Sequence, residues 1–232
     1  MKTGAALLLI AGVSVALLVL VAGRLAVVPA PPVPLTDTDA ARAAWSRVLV
    51  QFVNNQGEVN FDELSRDRTD LDRYLRFVAD TPWSGMINVN ERLAHLINAY
   101  NALSMFNVIE SGIPASHAGW RKLKFFVFYK FHIGGQSMSL YSFENDVIRP
   151  FARSLGDPRV HFALNCSAVS CPRLPRTPFS ASALDAELER ETKAFFAQPQ
   201  NFRIDRVNNT VWLNEILKFY TEDFVPAQGR NL

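Results

Sequence analysis

The stretch Asn90-Glu91-Arg92-Leu93-Ala94-His95-Leu96-Ile97-Asn98-Ala99-Tyr100-Asn101-Ala102-Leu103-Ser104-Met105-Phe106-Asn107-Val108-Ile109-Glu110-Ser111 decides how the chain is read. Leu93, Leu96, Ile97, Ala99, Leu103, Met105 and Val108 fall on all sides of a helix, and a helix that is apolar all round is buried. Asn90 reads as its cap and Gly112 as its stop. Asn98 and Asn101, three residues apart, share one side of it. Two amides in such surroundings need partners, because an unpaired buried polar group costs about 1–3 kcal/mol. Either they hold the backbone of an adjacent loop, or one of them orients a catalytic His or donates to an oxyanion.

Around this helix the pattern is mixed. Upstream, Asp37/Thr38 caps a helix through about Val53, with Ala44, Trp45, Val48, Leu49 and Phe52 as its stripe. A turn at 54–57, an extended piece at 59–61 and one charged helix near 63–79 follow. Downstream, 124–132 reads as a strand turning at Gly134-Gly135 into 137–140, then a helix over 141–154 and a strand over 159–165. An amphipathic helix over 182–197, a hairpin around Asn208-Asn209 and a helix from Asn214 toward Phe224 complete the chain. The spacing predicts an α+β fold. It is a single globular domain over residues 37–232, with a small, mainly antiparallel sheet packed against several helices.

The 232 residues are 49% hydrophobic and 20% charged, which excludes a disordered or coiled-coil chain. Gly4–Gly23 carries no charge, and twenty residues at about 1.5 Å each span a hydrocarbon core of roughly 30 Å. A cleaved signal has a shorter apolar region, and Val21-Ala22-Gly23 could serve as its cleavage site. Length favours an uncleaved anchor over residues 1–28, followed by a Pro-rich stalk at 29–36. Lys2 and the terminal amine outweigh Arg24, placing the C-terminal domain on the periplasmic or extracellular side of the cell membrane. Export makes a disulfide permissible. Lys2 and Arg24 are the only charges of the first 28 residues, so 22 basic residues remain against 22 acidic ones. That balance argues against a nucleic-acid partner. The expected partners are the membrane, through the N-terminal helix, and a substrate or protein of the envelope. Trp120–Lys130 mixes bases with aromatics; it reads first as a core strand with basic ends, and second as a contact with an anionic membrane.

Both cysteines fall in one motif, His161-x4-Cys166-x4-Cys171-Pro172. A disulfide closing this short loop contributes about 2 kcal/mol. A nucleophilic thiol with a base partner is the second reading. A metal site is third, since no nearby spacing supplies the two further ligands. Along an extended chain His161 and Cys166 would be roughly 16 Å apart, so His161 serves Cys166 only if the strand folds back. His95, Asn98, His132 and Glu144 are the other candidate partners, and each His can equally be a buried one bonded to backbone. Glu144 and Arg149, five apart on a helix, read as a solvated face. With no phosphate-binding Gly loop, His-Glu-x-x-His helix or Gly-x-Ser-x-Gly elbow, no cofactor or metal is expected.

Leu96-Ile97-Asn98-Ala99-Tyr100-Asn101-Ala102-Leu103 resembles the Asn-Ala-Tyr-Asn motif of the uncharacterised domain-of-unknown-function 547 family. Asp157-Pro158-Arg159-Val160-His161-Phe162-Ala163-Leu164-Asn165-Cys166 with Ser170-Cys171-Pro172 resembles a second motif of that family. Weaker echoes lie at Gly57–Leu64, at 140–149 with Glu144, and at Phe219-Tyr220 ahead of Asp223-Phe224. The chain departs from the pattern at His95-Leu96, Asn145 and Ser167-Ala168-Val169. The reading from the residues is a membrane-anchored envelope protein, first a thiol-dependent hydrolase or acyl/peptidyl transferase. Cys166 is its nucleophile, Cys171 a resolving or structural thiol, and His161 the base, with Asn98, Asn101 or Glu144 orienting it. The alternative is a non-catalytic envelope binding or structural module stapled by a Cys166–Cys171 disulfide.

Overall fold

The computed structural model describes residues 27–115, 119–168 and 170–225, apart from the side chains of Trp120 and Arg121. The proposed anchor over residues 1–28 lies outside the described residues except for Val27 and Val28, which are strand rather than anchor, and no helix among the described residues is long and apolar enough to cross a membrane. Strand β1 (Val27–Val28) leads in, and Val28 packs against the core. Helix α1 (Thr38–Phe52) is capped by Asp37, whose side chain accepts from the Ala40 N–H at 2.8 Å. The charged helix expected at 63–79 is two helices, α2 (Phe61–Arg66) and α3 (Thr69–Asp80). Asn60 caps α2 reciprocally with Glu63, and the Asp67 carboxylate takes the Thr69 N–H at 3.4 Å, restarting the chain as α3.

Helix α4 (Val89–Glu110) is the buried one, with every residue from Leu93 to Val108 inside. Asn88, not Asn90, is its cap, accepting from the N–H groups of Asn90 and Glu91. Gly112 follows at φ +78°, as the stop requires.

The expected strand 124–132 is half helix. A turn α5 (Trp120–Leu123) widens into a π-helical segment, Lys124–Phe128, because the buried Asn107 of α4 donates to the Phe125 carbonyl at 2.8 Å. Only β2 (Lys130–Ile133) is extended, with Phe131 and Ile133 inward and Lys130 and His132 outward. It pairs antiparallel with β3 (Gln136–Ser139) and parallel with β1, Val27 opposite Lys130. The turn between them is pinned to α3, where the Gly134 N–H reaches the Val78 carbonyl at 2.9 Å. A Cβ on Gly134 would stand 2.5 Å from the Trp83 ring at a φ of +56°, so only glycine fits.

The helix expected over 141–154 exists, with a wide middle: α6 (Leu140–Ser142), a π-helical Phe143–Ile148 and α7 (Arg149–Ser154). The widening turns Glu144 inward, where it is buried, which corrects the solvated-face reading. The expected strand 159–165 is instead a 3₁₀ helix, Pro158–Phe162. Proline in its first turn and the Asp157 carboxylate on the Arg159 N–H start it, and the Phe162 ring packs on Phe195 and Phe196 of α8 (Leu184–Phe196).

β4 (Phe202–Asp205) and β5 (Thr210–Leu213) make a hairpin turning through Asn209 at φ +48°. The final expected helix is split into α9 (Ile216–Phe219) and α10 (Thr221–Phe224). The fold is α+β, as the spacing predicted. Its strands, however, form two small sheets, of which the three-stranded one contains a parallel pair.

Candidate functional site

Asn101 uses both ends of its amide on the chain that follows the 3₁₀ helix. Its Nδ2 donates to the Ala163 carbonyl at 3.0 Å and its Oδ1 accepts from the Asn165 N–H at 2.8 Å. Asn165 continues the line inward: its Nδ2 donates to the Pro172 carbonyl at 2.7 Å, and its Oδ1 accepts from the Ser167 N–H at 2.9 Å. Ser104 meets Ser167 hydroxyl to hydroxyl at 3.1 Å, and Ser167 sits at φ +58°. Arg173 then ties the loop's exit to Glu191 of α8 at 2.8 Å. Within this frame Cys166 and Cys171 are bonded to each other, their Cα atoms 5.9 Å apart.

Asn98 holds a second segment in the same manner. It takes the Trp45 indole N–H and the Phe179 N–H on Oδ1, and donates to the Phe179 carbonyl at 2.8 Å. The loop-holding alternative is therefore what both helix amides do, and among the described residues neither is hydrogen-bonded to a histidine.

Glu144 is buried and accepts from two phenols, Tyr100 at 2.9 Å and Tyr220 at 2.5 Å. Burial, reinforced by that carboxylate, pushes the Tyr100 hydroxyl well above its ordinary pKa, and the same holds for Tyr220. Both phenols stay protonated donors.

His161 stacks on Tyr220 with ring centroids 4.2 Å apart, and its Nε2 lies 2.8 Å from the Asp223 carboxylate. Burial pushes the imidazole below its usual pKa, outweighing the pull of Asp223. For Asp223, burial raises the pKa, but hydrogen bonds from Arg149, Arg153 and His161 together bring it below the usual range. At neutral pH the pair is a neutral imidazole donating Nε2–H to an ionised carboxylate, which leaves Nδ1 as the basic nitrogen. Arg149 also donates to Glu222 and Asn145 and lies over the Tyr220 ring at 4.7 Å. The cleft here, about 430 Å³, is lined by Arg149, Arg153, Pro158, His161, Glu222 and Phe224 among others.

A family model described as a protein of unknown function, DUF547, matches residues 85–196. That stretch is a DUF547 domain. No curated protein and no solved structure compared with the chain matches it. Both sequence motifs lie within the DUF547 span, whereas Trp45, Tyr220, Glu222 and Asp223 come from outside it and complete its polar network. The sequence reading placed His161 and Glu144 in one site, and the structure does link them, through Tyr220. It missed Asp223, Tyr220, Arg153 and Asn165. The signal for Asp223 and Tyr220 was present in the echo at 219–224, but not their partners.

The remaining candidates are elsewhere. His132 faces outward from β2, and His95 is buried edge-on to Phe77. Among the described residues no thiol or hydroxyl is hydrogen-bonded to His161. Cys166, the expected nucleophile, is bonded to Cys171, and while that bond stands neither sulfur is a thiolate. Among the described residues no three His, Cys, Asp or Glu side chains gather as a metal site would need.

Proposed function

We propose that the protein is a non-catalytic envelope module, tethered by its N-terminal segment, in which the Cys166–Cys171 bridge is a loop staple. The observation that carries this reading is where the polar atoms of the nominated residues go. Asn98 and Asn101 are spent on backbone, Glu144 on two tyrosines, and the two sulfurs on each other. The cleft beside His161 is open to a partner. Every guanidinium in it already faces a carboxylate, so an uncharged, hydroxyl-rich ligand such as an envelope glycan suits it better than an anion. Phe224 and Pro158 supply apolar contact for a sugar face.

The test is the double substitution Cys166→Ser/Cys171→Ser in the full chain, with saturation-transfer NMR against an N-acetylglucosamine tetramer. Stability falls by about 2 kcal/mol, the chain-entropy value for so short a loop, while saturation transfer persists. Arg153→Ala abolishes the transfer without that fall. Unchanged stability in the double variant overturns the staple. No transfer to the native protein overturns the glycan assignment.

The thiol hydrolase or transferase reading needs the bridge reduced, and the ionised Asp223 behind a neutral His161 is the feature that favours it. Its signature is a reduced Cys166 that alkylates well below pH 8. A reduced Cys166 with an ordinary thiol pKa removes that reading.

A further inference from the structure

From Ser111 to Phe143 the chain contains no Asp or Glu, while Arg121, Lys122, Lys124, Lys130, His117 and His132 fall within it. The structure brings part of this run to one surface. Lys122, Lys124 and Lys130 are exposed, and beside them Leu123 is 48%, Val127 40% and Phe128 44% exposed. The π-helical turn carrying Val127 and Phe128 packs against α6, which presents Tyr141 at 54% exposure. Lys124 lies over the Tyr129 ring at 5.2 Å. Exposed apolar side chains alternating along the chain with exposed lysines, without a carboxylate in the run, form the pattern of an interfacial lipid contact.

We propose that this face docks on the anionic phospholipid surface of the bilayer in which residues 4–23 sit. The inference rests on the tethered reading given above. The chain's own geometry names the occupant. β1 begins four residues after Gly23, and four extended residues reach at most about 14 Å. β1 is hydrogen-bonded to β2 with Val27 opposite Lys130. Where the apolar segment ends, the basic face therefore begins, with no free stalk between them. Charge complementarity supplies the second argument, since each lysine near an anionic surface strengthens the contact roughly fivefold.

The experiment uses the full-length chain with vesicles of phosphatidylcholine alone and of phosphatidylcholine with phosphatidylglycerol. Flotation is followed by hydrogen exchange on peptides spanning 122–130. Flotation with both lipids, and slowed exchange of 122–130 only where phosphatidylglycerol is present, is the expected result. In the triple variant Lys122→Gln/Lys124→Gln/Lys130→Gln the surface contact weakens by about a hundredfold, and the slowing is lost while the hairpin at 202–213 exchanges as before. Equal exchange in the two lipids overturns the inference, whether 122–130 is open in both or covered in both by the leader or a second copy. Failure to float with phosphatidylcholine overturns the tether instead, and is read separately from the exchange.

Discussion

Replacing Asn101 by Leu lowers the unfolding free energy by about 3 kcal/mol. The substitution keeps the side chain's shape and strands two buried backbone groups, the Asn165 N–H and the Ala163 carbonyl, each costing about 1–3 kcal/mol when unpaired. For a chain of this size that is a fall in Tm of roughly 6–12 °C. Asn98→Leu strands three groups, the Trp45 indole and both backbone groups of Phe179, and loses at least as much. Urea unfolding of the three proteins checks both. A loss below about 1 kcal/mol at either position would mean that the amide is not what holds its loop, and would reopen the orienting role.

The second large effect is with pH. His95 is buried with no partner on Nε2, and desolvation, aided by nearby Arg42, pushes its pKa down to about 4 from the ordinary 6.5. In the folded protein it is neutral, whereas in the unfolded chain it takes a proton below pH 6.5. The unfolded state therefore binds more protons between those values, and stability falls as pH falls. It is fully present above about 6.5 and, for this group, gone below about 4, an amount of about 3 kcal/mol. His161, also held below its usual pKa by burial, adds in the same direction. Asp223 and Asp70, held down by their arginines, release their share only below the ordinary carboxylate range. Urea midpoints at pH 7 and pH 4.5 measure the effect. His95→Phe shows a clearly smaller drop than the native protein; an equal drop in both would assign the acid sensitivity to other groups.

The helical skeleton was legible because it is written in periodicity. α1, α4 and α8 fall within two or three residues of expectation, since their burial is set by residues three and four apart. The misreadings share a cause. Aromatic runs such as Lys124–Phe128 and Arg159–Phe162 have strand composition, yet Asn107 bonding to the Phe125 carbonyl and proline at 158 fix them as helical turns. The first choice is made by a tertiary partner that local spacing does not show, the second by a proline and its Asp157 cap that outweigh strand composition. The site was legible to the same depth. Asn98 and Asn101 were found from polarity in apolar surroundings, His161 from the cysteine motif and Glu144 as a candidate partner of Cys166, and each is buried with partners. Which partners they have was not legible. Asp223 is 62 residues from His161 in sequence and Tyr220 is 76 from Glu144, separations that no motif spans.

The staple at Cys166–Cys171 is the claim on which the functional reading turns. Its most direct measurement is the intact mass of the full-length protein, purified without reductant and alkylated with iodoacetamide after denaturation. The account predicts no adduct, and a mass two hydrogens below that of the reduced chain. An adduct on either cysteine would contradict it and reopen the reading of Cys166 as a nucleophile.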